Sequence, residues 1–141
     1  IGIASALVFA NIGASYGTAK SAVGISSLAV IDKSKIFQGL IPIIMAGILG
    51  IYGVIIAVIA GAQIKSKGKD MTEAEGYNFL GAGLACGLSS LAAGLAIGVA
   101  GDAGVRAYAQ TDDIFVGMIL ILIFAEAIGL YGLIVSIIMI F

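Results

Sequence analysis

Four long apolar stretches, separated by three short polar connections, make up the chain. The first runs from Ile1 to about Ala19 or beyond, with its first charge at Lys20; the others run from about Gln38 to Ile64, Asn78 to Gly101 and Ile114 to Phe141. About 20 apolar residues in a helix cross ~30 Å of hydrocarbon, so each stretch reads as a transmembrane helix. Pro42 falls in the first turns of the second stretch, where a missing N–H costs least. The pattern predicts an all-α membrane protein, 1–141, of four spans with both ends on one side of the bilayer. Charge does not orient it. Lys20, Lys33, Lys35 and Arg106 lie on one side and Lys65, Lys67 and Lys69 on the other, too even a split for the positive-inside rule. Residue 1 is Ile, inside an apolar run already under way, so further residues are expected ahead of it.

Composition sharpens this picture. The chain is 61% hydrophobic and only 11% charged, against about 25% charged in soluble domains. It carries 21 Gly, one Cys and no His or Trp. Low hydrophobicity is the mark of disorder, which is excluded. Cys86 is alone, which excludes a disulfide scaffold. A net charge of −1 offers nucleic acid no basic field.

The charges themselves are informative. Of the fifteen, fourteen lie in the connections, and the other is Glu126, with twelve residues of the fourth stretch before it and fifteen after. At ~1.5 Å per residue it sits near mid-membrane. A charge at that depth costs about 2.5–3.5 kcal/mol on insertion scales, and an intramembrane ionisable residue marks function by default. A carboxyl there is more stable protonated, and no Lys, Arg or His stands at its depth to pair with it.

The sequence also repeats. Ala46-Gly-Ile-Leu-Gly50-Ile-Tyr52-Gly53 aligns with Ala125-Glu-Ala-Ile-Gly129-Leu-Tyr131-Gly132 at an offset of 79, and Gly13-x-x-x-Gly17 aligns with Gly94-x-x-x-Gly98 at 81. A duplicated helical hairpin follows, with repeats 1–64 and 78–141. Glu126 maps onto Gly47, so two hairpins share one carboxyl. Stretches 1 and 3 carry small residues at helical spacing, with Gly13, Gly17, Gly94 and Gly98 as helix-packing glycines that let backbones approach. Stretch 4 is bulky and stretch 2 mixed. Two arrangements fit: a monomeric bundle, or a ring with helices 1 and 3 inside and 2 and 4 outside.

Several of these stretches resemble one family closely: Gly13-Ala-Ser-Tyr-Gly-Thr-Ala-Lys20-Ser, Ile41 to Gly53, Gly87 to Gly98, Gly101-Asp-Ala-Gly-Val-Arg106 and Phe115 to Gly132. In order and over nearly the whole chain, they resemble the proteolipid c subunits of eukaryotic vacuolar-type proton-translocating ATPases, the c-prime paralogue included. Val30 to Lys35 departs from the family pattern, and the Lys65–Glu75 connection is longer and more charged than expected. The resemblance implies a rotor ring of c-type subunits in the lipid bilayer, turned by central-stalk subunits past a static membrane subunit that supplies an Arg opposite Glu126. It implies a non-catalytic, proton-carrying role for Glu126, lumenal termini, and a vacuolar, lysosomal or other endomembrane location. No G-x-x-x-x-G-K-S/T loop occurs, so ATP chemistry belongs to partner chains.

Related rings that carry Na⁺ surround the carboxylate with further oxygen ligands. The matching positions here, Ile48, Leu49 and Ile97, are apolar, which favours H⁺ and leaves no metal or cofactor to expect. Tyr52 and Tyr131 are the candidate supporting hydroxyls, with Tyr52 expected to orient Glu126. Asp102 and Arg106, four apart, read as a solvated helix-end pair. Two other classes fit less well. A small multidrug-type antiporter needs its Glu in the first span and an aromatic cation pocket, and a purely structural tetraspan protein gives Glu126 no role.

Overall fold

The computed structural model describes residues 1–141 as four long helices joined by short turns. They are α1 (Gly2–Ile31), α2 (Ile41–Lys67), α3 (Glu73–Gln110) and α4 (Phe115–Ile140). A four-residue helical turn, Ile36–Gly39, leads into α2.

Local chemistry sets the ends. Asp32 leaves the helical region (φ −148°, ψ 102°), ends α1, and accepts from the Ser34 N–H at 3.0 Å to start the next turn. Pro42 lies in the first turn of α2, and Gly68, at φ +52°, ends that helix in a conformation other residues resist. Thr72 and Glu75 form a capping box at the start of α3. Helix α1 runs on past Lys20, the first charge, to Ile31, and α3 runs past Gly101, the expected end of its apolar stretch, to Gln110. The physical reason is that the charges there pair. Asp102 meets Arg106 at 2.7 Å and Lys20 at 3.4 Å, so neither helix has cause to stop. At ~1.5 Å per residue the 38 residues of α3 span about 57 Å, well beyond the hydrocarbon.

Three segments are long and apolar enough to cross a membrane: Lys33–Asp70, Glu73–Gln110 and Asp112–Ile140. Helix α1 is as long as they require, but its Gly, Ser, Thr and Asn content lowers its hydropathy.

The most extensive packing is between α1 and α3, then α3 with α4 and α1 with α2. Helix α1 meets α3 backbone to backbone. A Cβ placed on Gly13 would lie 2.5 Å from the Ser90 carbonyl, one on Gly87 2.5 Å from that of Ser5, and one on Gly17 2.9 Å from that of Gly94. A Cβ placed on Gly94 would fall closer still to the Gly13 carbonyl. The paired residue numbers rise together, so α1 and α3 are parallel. Helix α2 returns antiparallel along α1, with Gly53 against Ala6 and Ala10, and α4 along α3, with Gly104 against Met118. The core, Leu49, Ile97, Val105, Met118 and Leu122 among others, lies where the two hairpins meet.

Candidate functional site

Glu126 stands on the face of α4 that turns inward to this hairpin junction. The residue is 8% exposed, and both carboxyl oxygens are sealed from solvent without a hydrogen-bond partner. One turn further on, Gly129 lets α4 close on α2 and α3. A Cβ there would lie 2.5 Å from Leu49 Cδ2 and 3.5 Å from the Ala93 Cβ. A side chain at position 129 would push the Glu126 turn out of its seat.

Tyr52 of α2 turns its hydroxyl toward the Glu126 carboxyl, within range of its charge but short of closing a hydrogen bond. It is the one hydroxyl brought to the carboxyl. Tyr131 lies five residues along α4, 64% exposed on the outer side, and does not join the site. None of the four ion pairs includes Glu126. An ionised carboxylate so enclosed would be uncompensated, which a low-dielectric interior strongly disfavours. The site therefore accommodates the neutral acid, and needs an outside cation or water to hold the anion.

The surroundings bear on which ion fits. Leu49 and Ile97 are fully buried in the cluster that includes Ala93, Leu122 and Ala125. They bring methyl groups, not oxygens, to the junction. A hard cation takes several oxygen ligands. The donor set here amounts to one carboxyl and one phenol, enough for a proton.

Helices α1 and α3 hold Gly13, Gly17, Gly94 and Gly98 in their seam, as expected of small residues that let backbones approach. Lys20 joins Asp102 and Arg106, a third partner the i, i+4 spacing could not show. Arg106, and Lys20 behind it, hold the Asp102 carboxyl below the usual carboxylate range.

Two polar contacts have no signal in the sequence pattern. The Ser136 hydroxyl lies 2.6 Å from the Ala82 carbonyl and 2.7 Å from that of Gly132, tying α4 to α3 inside the membrane. Near the other end, Lys35 donates to the Tyr108 carbonyl at 3.0 Å and pairs with Asp112 at 2.6 Å, while the Tyr108 hydroxyl meets Gln38. The residues of this latch are up to 77 positions apart, and only the return of α2 beside α3 brings them together.

Comparison with known proteins gives a consistent picture. The pattern of the ATP synthase C subunit family matches residues 1–60 and 80–139. The chain is 58% identical over 142 residues to a V-type proton ATPase 16 kDa proteolipid subunit from Chrysotila carterae, covering 99% of this chain and 87% of that one. It is 54% identical over 139 residues to the 16 kDa proteolipid c subunit of the V-type proton ATPase of Ascaris suum, and 52% to a 16 kDa proteolipid c subunit of the V-type proton ATPase of Caenorhabditis elegans, with 99% and 86% of the two chains covered in each case.

Proposed function

Since this chain belongs to the ATP synthase C subunit family, we propose that it is a proton-carrying rotor-ring subunit of a V-type ATPase, with Glu126 as its proton carrier. It is an integral membrane protein that assembles with other c-type subunits in the membrane sector of the pump and hydrolyses no ATP itself. The observation that carries the assignment of the site is Glu126, enclosed near mid-membrane with both oxygens unpartnered and no cation in reach.

The mechanism follows from that enclosure. Protonated, Glu126 is neutral and passes through lipid. Deprotonated, it needs an opposing charge and water. A static subunit supplying Arg beside a water-filled half-channel stabilises the carboxylate, and the proton leaves toward one side of the membrane. Return to lipid requires a proton from the other half-channel. Moving one charge against 100 mV costs about 2.3 kcal/mol. ATP hydrolysis on partner chains supplies that work through the central stalk. Tyr52 orients the carboxyl between these states. The two matched stretches, 1–60 and 80–139, support reading the chain as one hairpin used twice, with one carboxyl for both. The termini lie on the lumenal side of a vacuolar, lysosomal or other endomembrane.

The test is labelling of the membrane-embedded protein by a hydrophobic carbodiimide, across pH, with and without Na⁺, and mapping of the modified peptide. The reagent attacks a protonated carboxyl in an apolar setting. Labelling confined to Glu126, lost at alkaline pH and indifferent to Na⁺, is expected. Protection by Na⁺ would make this a sodium rotor, and absence of label at every pH would return Glu126 to a structural role.

A further inference from the structure

The two hairpins are repeats, yet their matching positions are buried unequally. Leu49 is fully buried against the second hairpin, while its repeat mate Ile128 is 40% exposed. Ile56 is fully buried and its mate Val135 is 47% exposed. On the opposing side the order reverses. Ala93 is fully buried and its mate Ile12 is 49% exposed, while Glu126 is enclosed and its mate Gly47 faces open space, with nothing within 4 Å of a Cβ built there. Each half of the internal junction thus has an unused counterpart, one on each flank of the molecule. Two such flanks are complementary to each other and not to themselves, which is the head-to-tail geometry that closes into rings.

The chemistry of the flanks agrees. Gly47 opens on a groove of ≈ 700 Å³ lined by Asn11, Ile12, Ser15 and Thr18 of α1. Asn11 lies beside Gly50, the mate of Gly129, and so at nearly the depth of Glu126. Its amide N–H₂ donates to the Leu7 carbonyl at 2.9 Å, which leaves its Oδ1 as an acceptor. An exposed Asn at that depth faces hydrocarbon unless something polar covers it. On the other flank Tyr131 carries its hydroxyl toward the same depth with no partner, although a Tyr O–H withdrawn from water ordinarily finds one.

Within the chain Tyr52 reaches over to Glu126. Tyr131 is the mate of Tyr52 and Gly47 the mate of Glu126. We infer that, in the ring, Tyr131 of one copy enters the Gly47 groove of the next, where its hydroxyl donates to the Asn11–Ser15 row. The occupant is a second copy of this chain. Gly47 is then the carboxyl-free twin of the proton site, kept small so that a neighbour's phenol fits. The inference rests on the ring reading above and adds the residues that join one copy to the next.

The test uses the full chain in membranes, with Tyr131 replaced by the photoreactive p-benzoylphenylalanine. Irradiation is expected to give a ladder of linked copies, with the adduct mapping to Asn11–Ala19 or to the turn around Gly47 of a second copy. The same replacement at Tyr52 is expected to give adducts within one chain. An adduct joining Tyr131 to the α4 of another copy would overturn the seat, as would a ring of normal size on a native gel without linkage through Tyr131. A second variant removes dependence on the probe. Gly47→Trp meets nothing inside one chain, so insertion and Glu126 labelling should persist while the ring is lost; a ring of normal size with Gly47→Trp would overturn the inference. Failure of the unmodified chain to form any ring would overturn the ring reading itself, which separates the two failures.

Discussion

Helices α1 and α3 touch through their backbones, whereas α2 and α4 are held apart by side chains. Between α1 and α3 the contacts run glycine to carbonyl, at Gly13, Gly17, Gly87 and Gly94. Between α2 and α4 they run through Leu49, Tyr52 and Glu126. The difference gives the molecule a wedge section, narrow at one edge and wide at the other. It also divides the labour. The narrow edge has no room for a working side chain and serves only to bring helices together. The wide edge has room for a carboxyl. Large apolar side chains such as Val116, Phe124 and Ile138 point outward from α4, as suits contact with lipid.

The largest effect comes from breaking the narrow edge. Gly94→Val would drive a branched side chain into the Gly13 backbone, and no stably folded chain should accumulate in the membrane. Val116→Ala, on the exposed face of α4, should leave the yield and protease resistance of the membrane fraction unchanged. Next comes the working group of the wide edge. Glu126→Gln keeps the shape and removes the acid, so assembly should persist while proton transport into vesicles falls to background. Tyr52→Phe removes the hydroxyl turned toward Glu126 and should reduce transport by less than Glu126→Gln does. Loss of transport in Tyr131→Phe but not in Tyr52→Phe would overturn the role given to Tyr52. Between the edges, Ser136→Ala removes the contact with Ala82 that ties α4 to α3, along with one to Gly132 of its own helix, and should lower unfolding stability in detergent by about 0.6–2 kcal/mol.

The smallest effect lies outside the bilayer. Because Arg106 depresses the Asp102 carboxyl, this group is charged and paired at every pH above its unfolded value near ~4. Its contribution is therefore complete at neutral pH and is lost as pH falls through the lower folded value. The stability gap between the native chain and Asp102→Asn should stay constant from about pH 6 to 8 and narrow below about pH 4. A gap that closed toward alkaline pH would contradict this pairing.

Much of this was legible in the residues. An uncharged run of 20 or more apolar residues has few options in a bilayer, because every backbone group must find its partner within the segment. The fourth stretch, with Glu126 near its middle, therefore located the candidate site without coordinates. The glycine spacing likewise announced a close helix contact, since only residues lacking bulk permit one. The helix ends were less legible. The first span was left open beyond Ala19 and the third was expected to end near Gly101, but Lys20 and Asp102 each find an opposite charge on the neighbouring helix, and α1 and α3 run on. The Lys35–Tyr108–Gln38 latch was not legible at all, because its members share no local spacing.

Composition and periodicity by themselves determined the helices, the membrane and the solitary carboxyl, because these depend on the transfer of side chains and backbone between water and hydrocarbon. Tyr52 was the hydroxyl expected at Glu126, but only the tertiary structure decided which of the two tyrosines faces it. Tyr52 and Tyr131 occupy equivalent places in two nearly equal repeats, and no local rule separates them. They differ only in what stands across from each: Tyr52 faces the second hairpin of its own chain, and Tyr131 faces outward. Contacts between helices distant in sequence set that distinction, and it arises only when the two hairpins pack side by side.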